Sequence, residues 1–480
     1  MDTPSTGYLR GLRSLERELV DPVPLAVEGT LPPELRGTLY RVGPGRWDIF
    51  GDRLHHWFDG DGMVHALRLD GGAATYRNRF VDTTAFSEEN AAHRRIYGSF
   101  GTTAPGGRLH RFQRRKARRN PANTNIIVHA GELLALCEGG RPWRLDPRDL
   151  STLGEEDLGG VLPSPLTTFS AHPRWDPATG DLWNFGAELG RVPKLHFYRW
   201  PAKGAAEHIT TVTLPIPAMI HDFAITERSL VVVATPIVTP DIPLALAFGQ
   251  VSYGESLRYR PERGVFVGLI DRATLQAHWY RGAPFFGLHL ANAYDDGDEV
   301  VVDVSTYDDG GFLSIAYEMM RGPIYTGTTG KLRRLRIDRG GRPIAYETLV
   351  DHHFEFPRIH NDRTGRRHRM IYGLTWDRPT DMPRRPIALD LDSRTFTSAP
   401  EVAEQWCGEC VPVAKAGATS EADTWLLTVV LDAAAERSEL QVFDGADLPA
   451  GAVARVPLPH VVPFGFHGNW VAEAGTEASA

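Results

Sequence analysis

Turn-forming Gly, Asp, Asn and Pro punctuate this chain so often that apolar runs rarely exceed four to eight residues. FDGDGMVHALRLDGGAATYRNRF, DPATGDLWNFG, LVVVATPIV, DDGDEVVVDVSTY, KLRRLRIDRGGRPIAYETLV, NDRTGRRHRMIYGLTW and TWLLTVVLD all follow this pattern. Short alternating or continuous apolar runs closed by turn residues are the sequence form of antiparallel hairpins. Sustained helical periodicity is nearly absent; LRSLERELV near the start and PLALAFGQVSYGESL near position 250 are the two helix candidates. Neither a linker nor a composition break interrupts the 480 residues. Many short strands in so long a chain favour one closed all-β body, and a propeller suits the length better than a sandwich or small barrel. No strict repeat fixes the number of blades. We therefore expect one domain over 1–480, with flexible ends at 1–20 and 472–480.

Charge and leader content narrow the partners. Lys+Arg 52 against Asp+Glu 60 leaves a net charge of −8, which argues against a nucleic-acid binder and for a small-molecule partner. The N-terminus lacks an apolar stretch of signal-peptide length, and no run approaches the roughly 20 apolar residues that span a bilayer. The expectation is a soluble cytoplasmic protein. Three cysteines, Cys137, Cys407 and Cys410, are too few for a disulfide framework. The Cys407–Cys410 CxxC has no second Cys or His pair near it, so ordinary thiols are expected rather than a structural zinc.

Of the 18 histidines, four sit among small or apolar residues beside a predicted strand or turn: His172 (FSAHPRWD), His221 (MIHDFAITE), His289 (FFGLHLANAY) and His467 (PFGFHGNW). A lone histidine of this kind reads as a hydrogen-bonded core residue. Four of them gain another meaning in a propeller, whose inner strands all bring one end to the axis. Converging imidazoles bind a divalent transition metal, and the residues alone leave Zn, Cu, Fe and Ni open. His93, His110, His208 and His368 have charged neighbours and are read as surface residues. Glu138 (LLALCEGG), Glu355 (HFEFPRI) and Glu409 (WCGECVPV) lie in apolar runs, where a carboxylate is costly unless paired. A metal-bound imidazole has a second ring N–H to donate to such a carboxylate, which fixes its tautomer and orientation.

These blocks resemble the carotenoid cleavage oxygenase family, which acts on carotenoids, apocarotenoids and stilbenes. The resemblance runs from GTLPPELRGTLYRVGP and HHWFDGDGMVHAL through NPANTNIIVHAGELLALCEGG, AHPRWDPATG, IHDFAITE, HLANAYDDGDEVVVD and EFPRI to RVPLPHVVPFGFHG. It implies a seven-bladed β-propeller, with short helices and loops capping an axial Fe(II) held by His172, His221, His289 and His467. It pairs Glu138 with His221, Glu355 with His289 and Glu409 with His467, and leaves His172 without a carboxylate. Thr124, in PANTN, matches a family threonine that restricts an open coordination position.

The implied reaction inserts O₂ across a C=C bond of a conjugated chain, giving two carbonyl products. An apolar substrate needs an apolar tunnel, for which Trp57, Phe58, Phe285, Phe286, Phe464 and Phe466 are candidates. Stilbene-cleaving members tend to carry Lys before the first glutamate; Cys137 stands there instead, which tips the reading towards a carotenoid or apocarotenoid and leaves a stilbene substrate as the alternative. A propeller that only scaffolds partners is the remaining reading. No GxSxG, Walker loop or dinucleotide fingerprint competes. Where the family carries a membrane-dipping patch, this chain has the apolar segment 240–257, and the basic run 108–119 could meet anionic head groups, so peripheral membrane contact is expected.

Overall fold

The computed structural model describes residues 6–115, 118–164, 166–190, 192–240 and 244–473. Seven antiparallel sheets follow one another around an axis as the blades of a propeller. Blade 1 takes strands from both ends of the chain: Leu19–Leu25 on its outer edge, then Ala73–Phe80, Asp61–Asp70 and Arg36–Arg46, with Gly468–Ala472 innermost. The innermost strands of blades 2 to 6 are Asn125–His129, Arg174–Trp175, Phe223–Ile225, Phe286–Asp296 and Glu355–Arg358. In blade 7 the inner position is shared by Gln405–Cys407 and Val411–Ala414, which pair with successive parts of Thr424–Asp432.

Each blade is covered on both faces by its neighbours, which explains why several strands read as continuous apolar runs. Ser229–Ala234 (SLVVVA) is buried at every residue. A separate apolar cluster fills each of the seven interfaces. Trp183, Phe185 and Phe197 meet Phe223 and Val232 between blades 3 and 4, and Leu39, Leu67 and Leu69 meet Leu427 and Leu440 where blade 1 closes on blade 7. A fully buried Leu, Val or Phe contributes about 1.5–3 kcal/mol, so every interface is a substantial hydrophobic joint.

Three expectations change. LRSLERELV has helical spacing, but the chain forms a 3-10 turn at Gly7–Leu12 and then the edge strand Leu19–Leu25. The open edge of Ala73–Phe80 supplies a partner that outweighs local propensity, and Pro22 and Pro24 are tolerated because the strand has one paired side. Of the expected flexible end over 1–20, residues 1–5 lie outside the described residues and part of the rest is packed: Tyr8 and Leu12 are buried, and the Tyr8 hydroxyl accepts the Ile324 N–H at 2.8 Å. Of the expected tail, residues from 474 onward lie outside the described residues. His368, read as a surface residue, is buried; its Nε2 lies 3.1 Å from Asp303, which also takes two bonds from Arg334. Its partner Asp303 comes from blade 5 and is not among the charged sequence neighbours that suggested exposure.

Candidate metal centre

Each inner strand delivers one residue near its start to the axis: Thr124, His172, His221, His289, Glu355, Glu409 and His467, in blades 2 to 7 and then 1. Local irregularities aim these side chains. The inner strand of blade 5 shifts register on both sides of His289, between Gly287 and Leu290 and again between Leu290 and Asn292. That of blade 6 shifts between Glu355 and Arg358, and blade 7 breaks at Gly408–Cys410 to present Glu409. Bulges of this kind re-aim a side chain that a regular strand would point into a blade interface.

The four histidines converge. One ring nitrogen from each lies within 4.8 Å of the others; Nε2 of His221 is 2.9 Å from Nε2 of His172 and 3.3 Å from Nε2 of His289. The three glutamates stand behind three of the rings. Nδ1 of His289 is 2.6 Å from Glu355, Nδ1 of His467 is 2.8 Å from Glu409, and Nδ1 of His221 is 2.8 Å from Glu138. His172 has no such carboxylate behind it: its nearest contact with Glu138, at 3.9 Å, is through Nε2, the atom that faces the cluster.

A ring whose Nδ1–H is directed to a carboxylate keeps its lone pair on Nε2. Lone pairs so close together repel unless a cation lies among them, so the donor set fits a divalent transition metal with neutral nitrogen ligands. The electrostatics agree. Burial, then the three neighbouring imidazoles, push His172 well below the usual histidine range. Burial would raise all three glutamates, but it is outweighed: by His221 at Glu138, by His289 at Glu355, and by Arg358 first and then His467 at Glu409. All three are held below the ordinary carboxylate range, as anions.

The other candidate residues are distributed unevenly. Thr124 is buried; its Oγ1 donates to Asn123, and its carbonyl accepts the N–H of His467 at 3.1 Å. Trp57, Phe58 and Phe466 form an aromatic wall beside the histidines, with Phe466 centred 4.8 Å from Trp57 and 5.2 Å from Phe58. Phe464 belongs to the same cluster but lies against Gly11 and the N-terminal turn. Phe286 stacks on Tyr307, whose hydroxyl donates to Glu355. Phe285 is not on this side: it packs with Val231, Val267 and Val302 in the interface of blades 4 and 5. Successive residues of an extended chain face opposite ways, so Phe285 and Phe286 could not both line one tunnel.

Sequence reasoning missed three residues here. Phe356 has a left-handed backbone (φ 53°), stacks on His289 at 5.2 Å and also meets His467. Tyr307 and Arg358 bond Glu355 and Glu409. Phe356 and Arg358 stand in the EFPRI block, but the bulge that turns them to the axis leaves no mark in composition. In PFGFHGNW the glycines answer to crowding by a neighbouring strand: a Cβ on Gly468 would lie 2.5 Å from the Tyr40 carbonyl, and one on Gly43 would lie 2.3 Å from Cα of Gly465. Cys407 and Cys410 are buried free thiols.

A family model described as retinal pigment epithelial membrane protein (RPE65) matches residues 12–472. Apocarotenoid-15,15'-oxygenase of Synechocystis sp. is 35% identical over 483 residues, covering 96% of each chain. Resveratrol cleavage oxygenase 1 of Aspergillus fumigatus is 30% identical over 472 residues, covering 93% of this chain and 92% of the relative. The solved structure of cobalt-substituted Synechocystis apocarotenoid oxygenase superposes with a TM-score of 0.89 at 33% identity, covering 97% of this chain and 98% of that one.

Proposed function

The chain belongs to the RPE65 and carotenoid cleavage oxygenase family, and from that premise we propose that it splits one C=C bond of an apocarotenoid with O₂ at an iron held by His172, His221, His289 and His467. It is an oxygenase that acts on a carotenoid-type substrate to give two carbonyl products. The observation that carries the site assignment is the convergence of four imidazoles, three of them backed by carboxylates.

Bound there, ferrous iron supplies the activation of dioxygen, for which the side chains have no equivalent. The protein's part is geometric. Glu138, Glu355 and Glu409 fix three ring orientations, and the anions stand behind the ligands rather than among them. Trp57, Phe58, Phe466 and Phe356 keep one side of the cluster apolar, which suits a polyene and excludes water. Thr124, buried and tied through its carbonyl to the His467 N–H, would restrict what can approach a bound ion.

Cys137 favours the apocarotenoid over a stilbene. Burial pushes its thiol up to about 12, so it stays protonated, and unlike a lysine it has no positive charge to hold a phenolic hydroxyl. Anaerobic protein loaded with Fe(II) and then given O₂ with an apocarotenal is expected to yield two carbonyl fragments by mass spectrometry. Aldehydes from resveratrol alone would favour the stilbene reading, and no product from either would leave a scaffold.

The two segments expected at a membrane form one patch. Helix Arg108–Arg114 packs against the turn Leu244–Ala247 through Phe112 and Phe248, whose rings are 5.6 Å apart. Leu109 and Leu244 are 72% and 59% exposed, and Arg108, Arg111, Arg114 and Arg115 lie on the same segment. Arg119, counted in the basic run, is instead buried between Asp61 and Glu89. Residues 116–117 and 241–243 lie outside the described residues. An apolar tip with a basic surround fits reversible contact with an anionic bilayer, the source of so apolar a substrate. No helix among the described residues is long and apolar enough to cross a membrane.

A further inference from the structure

Arg358 ends the inner strand of blade 6, on the far side of the bulge that turns Glu355 towards His289. Its guanidinium crosses to blades 7 and 1. Nη1 donates to Oε1 of Glu409 at 3.1 Å and to the Gly468 carbonyl at 3.2 Å, and Nη2 donates to Oδ1 of Asn469 at 3.1 Å. Oε1 of Glu409 is the atom that meets Nδ1 of His467, and Oε2 accepts the Gly468 N–H at 2.9 Å. One fork therefore grips both the carboxylate behind His467 and the two residues that follow His467. Asn469 passes the hold on to blade 2, donating to Asn125 and to the Ile126 carbonyl.

The other carboxylates are held otherwise. Glu355 receives the Tyr307 hydroxyl and the Phe356 N–H, and its ion-pair partner among the described residues is His289. Those of Glu138 are His221 and His172. Glu409 alone of the three has a guanidinium there among the described residues, and it serves the one ligand carried by the closing strand of the propeller.

We propose that Arg358 is a positioning residue of the metal centre: through Glu409, Gly468 and Asn469 it aims Nε2 of His467 at the ion and ties the fourth ligand to the closed ring. The proposal rests on His467 being a ligand. A planar fork with several donors suits this role, and a lysine, with one compact charge, can replace only part of it.

The test is Co(II) binding to the metal-free full chain, followed by ligand-field absorption, with Tm of the metal-free protein measured alongside. Arg358→Gln is expected to weaken Co(II) binding about 10–100-fold and to shift the spectrum. Arg358→Lys, which keeps the charge without the fork, is expected to lose less affinity. Residues that only support the fold would lower Tm and leave the affinity and spectrum of the folded fraction unchanged. A folded Gln variant with wild-type affinity and spectrum overturns the proposal; if that variant does not fold, the Lys variant decides by the same criterion. Failure of the wild type to bind Co(II) would overturn the metal reading itself, and so is distinct from failure of the Arg358 assignment.

Discussion

On one side of the histidine cluster, Glu355 belongs to the inner strand of blade 6 and Glu409 to the short break between the two inner strands of blade 7; on the other, Glu138 reaches in from the turn between strands Glu132–Leu136 and Trp143–Leu145 of blade 2. The Glu409 side chain is 1% exposed and the Glu138 side chain 34%. Glu355 and Glu409 each accept further hydrogen bonds, from Tyr307 and Phe356 and from Arg358 and Gly468. Glu138 has its histidine at 2.8 Å on one oxygen and solvent access beside it. Blades 5, 6, 7 and 1 thus form a rigid half that sets ligand geometry. Blade 2 differs in that its carboxylate, Glu138, keeps access to water. A buried anion with its donors matched is expensive to disturb, and one with access to water can be rehydrated.

That contrast can be broken at several places. The largest effect is expected at His467: His467→Ala should leave the purified protein without iron after desalting, by elemental analysis, and an iron-replete, active variant would remove the site from consideration. Next comes the pair of carboxylates. Glu409→Gln is expected to weaken metal binding towards the upper end of the roughly 10–100-fold range for such partners, and Glu138→Gln towards the lower end. Titration with Co(II) measures both, and equal losses would erase the distinction between the halves.

Acid should loosen the rigid half. His56 and His65 are pushed down to about 3, and His353 and His460 to about 4, in each case chiefly by burial, from an ordinary value of 6.5. A histidine whose folded pKa is depressed contributes its full stability above 6.5 and loses it as pH falls towards the folded value, because the unfolded chain takes up the proton first. The Tm of the metal-free protein is therefore expected to drop by several degrees between pH 7 and pH 4.5; a flat profile would place these rings in water. The smallest effect concerns the cap: replacing Leu244 and Phe248 with Ser should reduce co-sedimentation with anionic liposomes a few-fold while leaving metal content unchanged.

Much of this was legible because its causes are local. Strand–turn alternation identifies an all-β body, and histidines or glutamates in apolar runs stand out where such groups are otherwise costly. What stayed hidden depends on which way a strand faces. Phe285 and Phe286 look equivalent in sequence, yet one fills a blade interface and the other lies beside Tyr307. Arg358 and Phe356 reach the axis through a bulge whose register is set by pairing with Met370–Thr375. His368 looked exposed because its charged neighbours in sequence give no sign of Asp303, which comes from blade 5. LRSLERELV took its conformation from an edge that another part of the chain left open.

The most direct test of the central claim is anomalous diffraction at the iron edge from crystals of the protein loaded anaerobically with Fe(II). One iron is expected on the axis, bound by Nε2 of His172, His221, His289 and His467, with Nδ1 of His467 directed at Glu409 and no carboxylate oxygen bound to the metal. Iron bound elsewhere, or held directly by Glu138, Glu355 or Glu409 in place of one of these histidines, would contradict it.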